Sequence, residues 1–298
     1  MNSPSPSPTS VPAPPAIAAD TSLGAVNLTV SDLARSRAFY ETALGLGVRE
    51  ADDGTLAFGV PGADLVRLRG DASAPALDRR ATGLFHLAIL FPTRLDLAHA
   101  LVRLAEARWS LDGVADHLVS EALYLSDPDG NGIELYRDRP RKEWSYADGQ
   151  LQMATLPLDL RSLADELTAA DSPQATAPPR TVMGHVHLQV ASIPDAEAFY
   201  HRVLGFDVTT RAYPGALFVS AGGYHHHLGL NTWHSAGSGP AATGAVGLRS
   251  YEVVLPDQAE LRRVVDRIRA AGLSLEAAGD DSATVLDPSG NPVVLVCR

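Results

Sequence analysis

A single cysteine, Cys297, in 298 residues excludes an intramolecular disulfide framework. Its setting in the apolar terminal run VVLVC reads as a small buried hydrophobe. Basic residues are scarce: 24 Lys and Arg stand against 35 Asp and Glu, a formal net charge of −11, and none precedes Arg35. So acidic a chain lacks the basic face that nucleic acid or an anionic membrane surface needs, which leaves small molecules as the expected partners. No stretch offers 18 uncharged apolar residues, and the first residues have neither the positive start nor the continuous apolar run of a signal peptide. A cytoplasmic location is therefore expected. What remains is ordinary for a globular protein, with 45% hydrophobic and 20% charged residues at a length that suggests two domains.

Residues 1–20, MNSPSPSPTSVPAPPAIAAD, are dominated by Pro, Ser and Ala without apolar periodicity, so burial cannot offset the entropy of ordering them. A disordered tail is expected there. The rest of the chain carries an internal repeat, which sets the architecture before any single motif does. Val26-Asn27-Leu28-Thr29-Val30, Ala38-Phe39-Tyr40 and Leu44-Gly45 recur 160 residues later as Val186-His187-Leu188-Gln189-Val190, Ala198-Phe199-Tyr200 and Leu204-Gly205. A weaker echo joins Gly83-Leu84 and Pro92 to Gly247-Leu248 and Pro256 at an offset of 164, and Asp127-Pro128-Asp129-Gly130-Asn131 to Asp287-Pro288-Ser289-Gly290-Asn291 at 160. The chain thus has four units.

Each unit opens on an alternating strand such as VNLTV or HVHLQV. A helix follows. Leu97, Leu101 and Leu104 make its apolar stripe in unit two, and Leu261, Val264, Val265 and Ile268 do so in unit four. Gly45, Gly205 and Gly272 stand where a helix end calls for positive φ. Short β-rich runs come next, with Asp-Pro-Asp-Gly turning between strands in ALYLSDPDGNGIELY. The predicted unit is βαβββ, an α+β class, with units one and two in residues 21–140 and units three and four in 182–298. Between them, residues 141–181 contain an amphipathic piece around Leu160–Leu167 and the Pro-rich SPQATAPPR, and read as a linker.

The runs FYETALGLGV, FYHRVLGFDV and DPDGNGIELY are similar to those of the vicinal-oxygen-chelate superfamily of glyoxalases, bleomycin-resistance proteins and type I extradiol dioxygenases. GLFHLAILFPTR, SEALYLSDPDGNGIELYRDRP, GHVHLQV and LFVSAGGYHHHLGLNTW resemble more narrowly the four-module catechol-2,3-dioxygenases, and the likeness runs from about Leu23 to Arg298. The resemblance implies that pairs of βαβββ units wrap curved mixed sheets around two cavities, with metal ligands on the first and last strands. A ring-cleaving site needs two neutral imidazoles and a carboxylate on one face of Fe(II), the remaining positions being left to a chelating diol and O₂. The first-strand positions hold Ala25, His86, His185 and Ser250, and the last-strand carboxylate position holds Glu134 in unit two but Val294 in unit four. Pairing in chain order leaves both sites incomplete. Pairing unit two with three, and one with four, brings His86, Glu134 and His185 into a full triad, and some four-module relatives do pair non-sequentially. His187, one step along the same face, is the alternative to His185.

In such dioxygenases a His-His pair lies on the last strand of unit three, and its second member, matched to His226, is the acid-base catalyst. His227 is the alternate. Tyr124, ten residues before Glu134, matches a tyrosine that hydrogen-bonds the bound substrate oxygen, and His117 is a second candidate at the cavity mouth. The resemblance thus implies a catechol-2,3-dioxygenase-like oxidoreductase of aromatic catabolism, using Fe(II), with Mn(II) accepted by the same ligands. Its partners would be a small aromatic diol and O₂. Units one and four would form a structural half able to serve in homo-oligomerisation. The alternatives are a glyoxalase-type lyase or isomerase, disfavoured because HHHLGLN offers no fourth carboxylate, and a metal-free binding or resistance protein. Arg137 and Arg139 are left between a substrate-carboxylate contact and a surface role.

Overall fold

The computed structural model describes residues 16–51, 54–168 and 174–297. All four units appear as a strand, a helix and three further strands: Ser22–Val30 to Ala63–Gly70, Gly83–Leu90 to Gly132–Asp138, Val182–Gln189 to Leu228–Asn231, and Gly247–Leu255 to Pro292–Cys297. In each, the first strand pairs in parallel with the last. Two mixed sheets of eight strands result. One forms where Ser22–Val30 runs antiparallel to Gly247–Leu255, joining units one and four. The other forms where Gly83–Leu90 runs antiparallel to Val182–Gln189, joining units two and three. The non-sequential pairing is therefore the observed one. Gly45, Gly205 and Gly272 end their helices at φ of 70°, 91° and 73°, values that a side chain resists.

Outside the sheets the units are linked the other way round. The helix Arg94–Glu106 of unit two packs against the π-helical turn Phe39–Ala43 of unit one, and Gln258–Ala270 of unit four packs against Ala198–Val203 of unit three. The repeated motifs meet at these joints. Tyr40 donates its hydroxyl to Asp127 at 3.2 Å, and Tyr200 donates to Asp287 at 2.8 Å. Asp127 also accepts from the backbone N–H of Asp129 and Asn131 and from the Asn131 amide, so it closes its own turn while holding the neighbouring unit. Arg103 reaches the Leu44 carbonyl, and Arg267 reaches those of Val203 and Leu204, so both cross-unit joints carry a guanidinium on a helix end. Burial lowers Arg103 to about 10. Replacement Asp127→Ala strands several buried donors at once. At roughly 1–3 kcal/mol for each unsatisfied group, it is expected to cost about 3 kcal/mol or more in denaturant unfolding, whereas Asp129→Ala leaves the Tyr40 joint intact and should cost less.

The segment before unit one is partly structured. Residues 1–15 of the expected tail lie outside the described residues, but Ile17 is buried, its N–H donates to the Gly205 carbonyl, and the Ala18 N–H donates to Glu260. The tail reading therefore extends too far, because one isoleucine among prolines and alanines gives no periodic signal and yet fills a gap beside unit three. Cys297 is only half-buried, with Sγ 3.6 Å from the Asp281 carbonyl, since it ends its strand rather than lying within it. Among the described residues no helix is long and apolar enough to cross a membrane.

Candidate metal centre

The sheet of units two and three brings three distant residues together by register. His185 stands opposite Ala88, and Ala88 pairs in parallel with Glu134, so His185 and Glu134 flank the same position from two sides. His86 lies two residues from Ala88, hence on the same face. A register shift between Met183 and His185 re-aims the latter. The residue skipped, Gly184, has to be glycine: a Cβ there would sit 1.8 Å from the Tyr136 hydroxyl oxygen.

The three side chains are buried, and one ligating atom from each lies within 4.8 Å of the other two. Nε2 of His86 and Nε2 of His185 are 3.4 Å apart, and each is 3.1 Å from Oε2 of Glu134. Burial alone would raise the Glu134 carboxyl, but the two imidazoles outweigh it and hold it well below the carboxylate range. Burial likewise pushes His185 down to about 4, against the pull of Glu134. Oε1 of Glu134 has no protein partner. Two neutral imidazoles and a carboxylate with a vacant oxygen, all facing one point, form a donor set suited to a divalent first-row ion.

Around this cluster lies a cavity of about 320 Å³ that also takes in Tyr124, His117 and His226. Tyr124 stands directly across from Glu134 on the next strand, and burial, then the charge of Glu134, drive its hydroxyl well above 10. His117 Nε2 is 2.7 Å from the Tyr124 hydroxyl, and its Nδ1 is 2.7 Å from the Ala154 carbonyl. That carbonyl can only accept, so Nδ1 carries the proton and Nε2 accepts from Tyr124. His226 packs against His185 with ring centroids 4.2 Å apart, and burial holds it well below 6.5. His227 points elsewhere: its Nδ1 accepts from the Ala221 N–H. His187 also lines the cavity, beside His86, with a buried Nε2 that has no protein partner, but it stands outside the three-residue cluster.

Several contributors escape a sequence reading. Met153 and Thr155, from the inter-half segment, are among the residues that line the cavity. Arg94 anchors that segment through the Ser162 carbonyl and Glu166. His225 donates from Nε2 to Asp138 at 2.8 Å and meets Nδ1 of His226 at 2.8 Å. Arg137 and Arg139 do not reach the cavity: Arg137 pairs with Glu121, and Arg139 pairs with Asp116 and Glu121. In the sheet of units one and four, Ala25 and Ser250 hold the positions of His185 and His86. There the Ala25 N–H is bound by Glu252, whose carboxylate pairs with Arg67 at 2.5 Å.

The sequence pattern of the Glyoxalase/Bleomycin resistance protein/Dioxygenase superfamily matches residues 22–135 and again 182–295. The chain belongs to that superfamily. It is 46% identical over 274 residues to a Bacillus subtilis (strain 168) protein named catechol-2,3-dioxygenase, covering 90% of this chain and 94% of that one. Among solved structures, a candidate dioxygenase of Bacillus subtilis subsp. subtilis str. 168 superposes with a TM-score of 0.64 at 14% identity, over 93% of this chain and 84% of its own. Glyoxalase I of Zea mays gives 0.56 at 17% identity, over 93% and 92%. At such identities these likenesses bear on the fold alone. Each superfamily match spans two consecutive units, whereas each sheet takes one unit from either match.

Proposed function

We propose that the chain is an extradiol ring-cleaving dioxygenase, acting on catechol or a substituted catechol with O₂ at a single iron(II) held by His86, Glu134 and His185. The observation that carries this reading is the gathering of those three donors at the floor of a cavity that also holds Tyr124, His117 and His226. The high identity to a protein named catechol-2,3-dioxygenase supports the same reaction. An iron(II) bound there would supply Lewis acidity toward the diol oxygens and a common site for the diol and O₂.

The chain's own groups then divide the remaining work. His225 donates from Nε2 to Asp138, which leaves its Nδ1 to accept from Nδ1 of His226. His226 therefore keeps Nε2 free of a proton, an acceptor for a diol hydroxyl and later a donor as the ring opens. His117, tethered to the Ala154 carbonyl, accepts from the Tyr124 hydroxyl and holds it in place, which leaves the phenol oxygen able to accept from a substrate hydroxyl. Met153 and Thr155 line the same cavity and would border a bound ring. Location in the cytoplasm fits a small diffusible substrate.

A glyoxalase-type lyase is the second reading. It is weakened because Glu134 is the one carboxylate among the described residues that line the cavity. Manganese(II) suits the same donors. Protein purified under argon and loaded with iron(II) is expected to take up O₂ with catechol and form a yellow ring-fission product. Iron-loaded protein that consumes no O₂ in the presence of catechol would refute the proposal, and activity restricted to manganese-loaded protein would reassign the ion.

A further inference from the structure

Building on the proposed dioxygenase reading, we infer that Arg139 is a positioning residue for that reaction: from outside the cavity its guanidinium fixes the turn that carries His117 and, through His117, the hydroxyl of Tyr124. His117 lies between the strands Gly113–Asp116 and Ser120–Ser126, so strand alternation does not aim its ring. The bonds of the turn must do so. They act against the backbone, because Leu118 takes a φ of 69°, in the left-handed region that a leucine resists. With 39% of its surface exposed, that leucine adds little packing to hold the turn there.

Arg139 grips the turn at two points. Its backbone N–H donates to the Val119 carbonyl at 2.7 Å, and its Nη2 lies 2.6 Å from Oδ2 of Asp116. The other oxygen of Asp116 accepts from the Leu118 N–H at 2.9 Å, so the carboxylate passes the hold of the guanidinium on to the left-handed residue. Partial burial would raise that carboxyl, but the Leu118 N–H and Arg139 outweigh it and keep it below its ordinary value. The same Nη2 is 3.3 Å from the buried Glu121, which stands opposite Asp116 across the two strands.

His117 has to meet two partners at once, the Ala154 carbonyl through Nδ1 and the Tyr124 hydroxyl through Nε2, each at 2.7 Å. Asp116 exchanges backbone hydrogen bonds of 2.9 Å with Leu156, so the segment that presents the Ala154 carbonyl is tied to the residue that Arg139 holds. Arg137 pairs with Glu121 from within the strand Gly132–Asp138, and thus serves the acid rather than the turn.

The test uses iron(II)-loaded protein and reads kcat at saturating catechol by O₂ uptake. Arg139→Met is expected to keep its iron and to lose about 10- to 100-fold in kcat, since a misplacement of roughly 1 Å among the reacting groups can cost about 10²-fold. In His117→Ala protein, itself slowed, the same substitution should cost nothing further, because the ring it positions is gone. Arg137→Met, which disturbs Glu121 without loosening the turn, should leave kcat near wild type. Asp116→Asn keeps an acceptor for the Leu118 N–H but loses the charge that Arg139 holds. It should repeat the Arg139→Met loss, and it carries the test should Arg139→Met fail to fold. A wild-type kcat in Arg139→Met or in His117→Ala overturns the inference. So does an equal loss with and without His117, which would place the effect elsewhere, and so does an Arg137→Met enzyme as slow as Arg139→Met, which would make the effect a general weakening of the sheet. Wild-type protein that consumes no O₂ with catechol counts instead against the dioxygenase reading, which keeps the two claims separable.

Discussion

Glu134→Ala is expected to leave a folded protein that no longer retains its metal ion and no longer opens the ring. Glu134 is the only anionic member of the three-residue cluster, and the two imidazoles are drawn toward its Oε2 from both sides. Without it, two neutral nitrogens remain to hold a divalent cation inside a buried pocket. The loss should exceed the ~10–100-fold in metal affinity typical of removing an outer partner of a ligand, because a ligand itself is gone. Metal analysis after dialysis, together with circular dichroism to confirm the fold, reads this directly. Full iron occupancy in the variant would remove Glu134 from the ligand set. His86→Ala and His185→Ala should behave alike, whereas His187→Ala should keep the ion, and that contrast separates the neighbouring histidines.

His226→Phe should give the opposite pattern, with iron retained and turnover reduced by about 10²- to 10⁴-fold, the usual worth of general acid-base help. Burial keeps this imidazole well below its ordinary range, so it enters the reaction uncharged, with the Nε2 lone pair open. Phenylalanine preserves the packing against His185 and Phe218 while removing both nitrogens. His227→Phe should change turnover far less, because the Nδ1 of that ring serves the Ala221 N–H and the ring does not line the cavity. A His226→Phe enzyme that turns over catechol at the wild-type rate would assign the proton transfers to another group. One that loses iron would make His226 a ligand.

The architecture was legible because it is written twice. Offsets of 160 and 164 residues mark equivalent positions whatever the sequence between them, and at the ligand positions that the family resemblance implies only one pairing of units completes a triad. The helix-ending glycines could be read for a similar reason, since few other residues tolerate positive φ. The histidine run was harder. Alternation of faces holds within a strand, but His225, His226 and His227 precede Leu228–Asn231, so strand parity does not govern them and only contacts with Asp138 and Ala221 decide their directions. Met153 and Thr155 were hidden in a stretch without apolar periodicity, ahead of the amphipathic piece that Arg94, far away in sequence, contacts at Ser162. Arg103 and Arg267 share the 164-residue offset, but a guanidinium that reaches a carbonyl across a unit boundary leaves no mark on its own helix. For Arg137 and Arg139 the deciding fact was a buried acid, Glu121, that alternation along its own strand did not single out.

The crossed connections, with sheets joining units one to four and two to three while helices join one to two and three to four, bear on how such a chain could have arisen. A gene duplicated end to end normally yields two copies of a working part, each able to drift once its twin suffices. Here His86 and Glu134 come from one copy and His185 from the other. On the proposed reading, neither half could lose its share of the triad without ending the reaction, while Ala25, Ser250 and Val294 stand at the equivalent positions of units one and four. The two halves would then depend on each other, with neither serving as a spare.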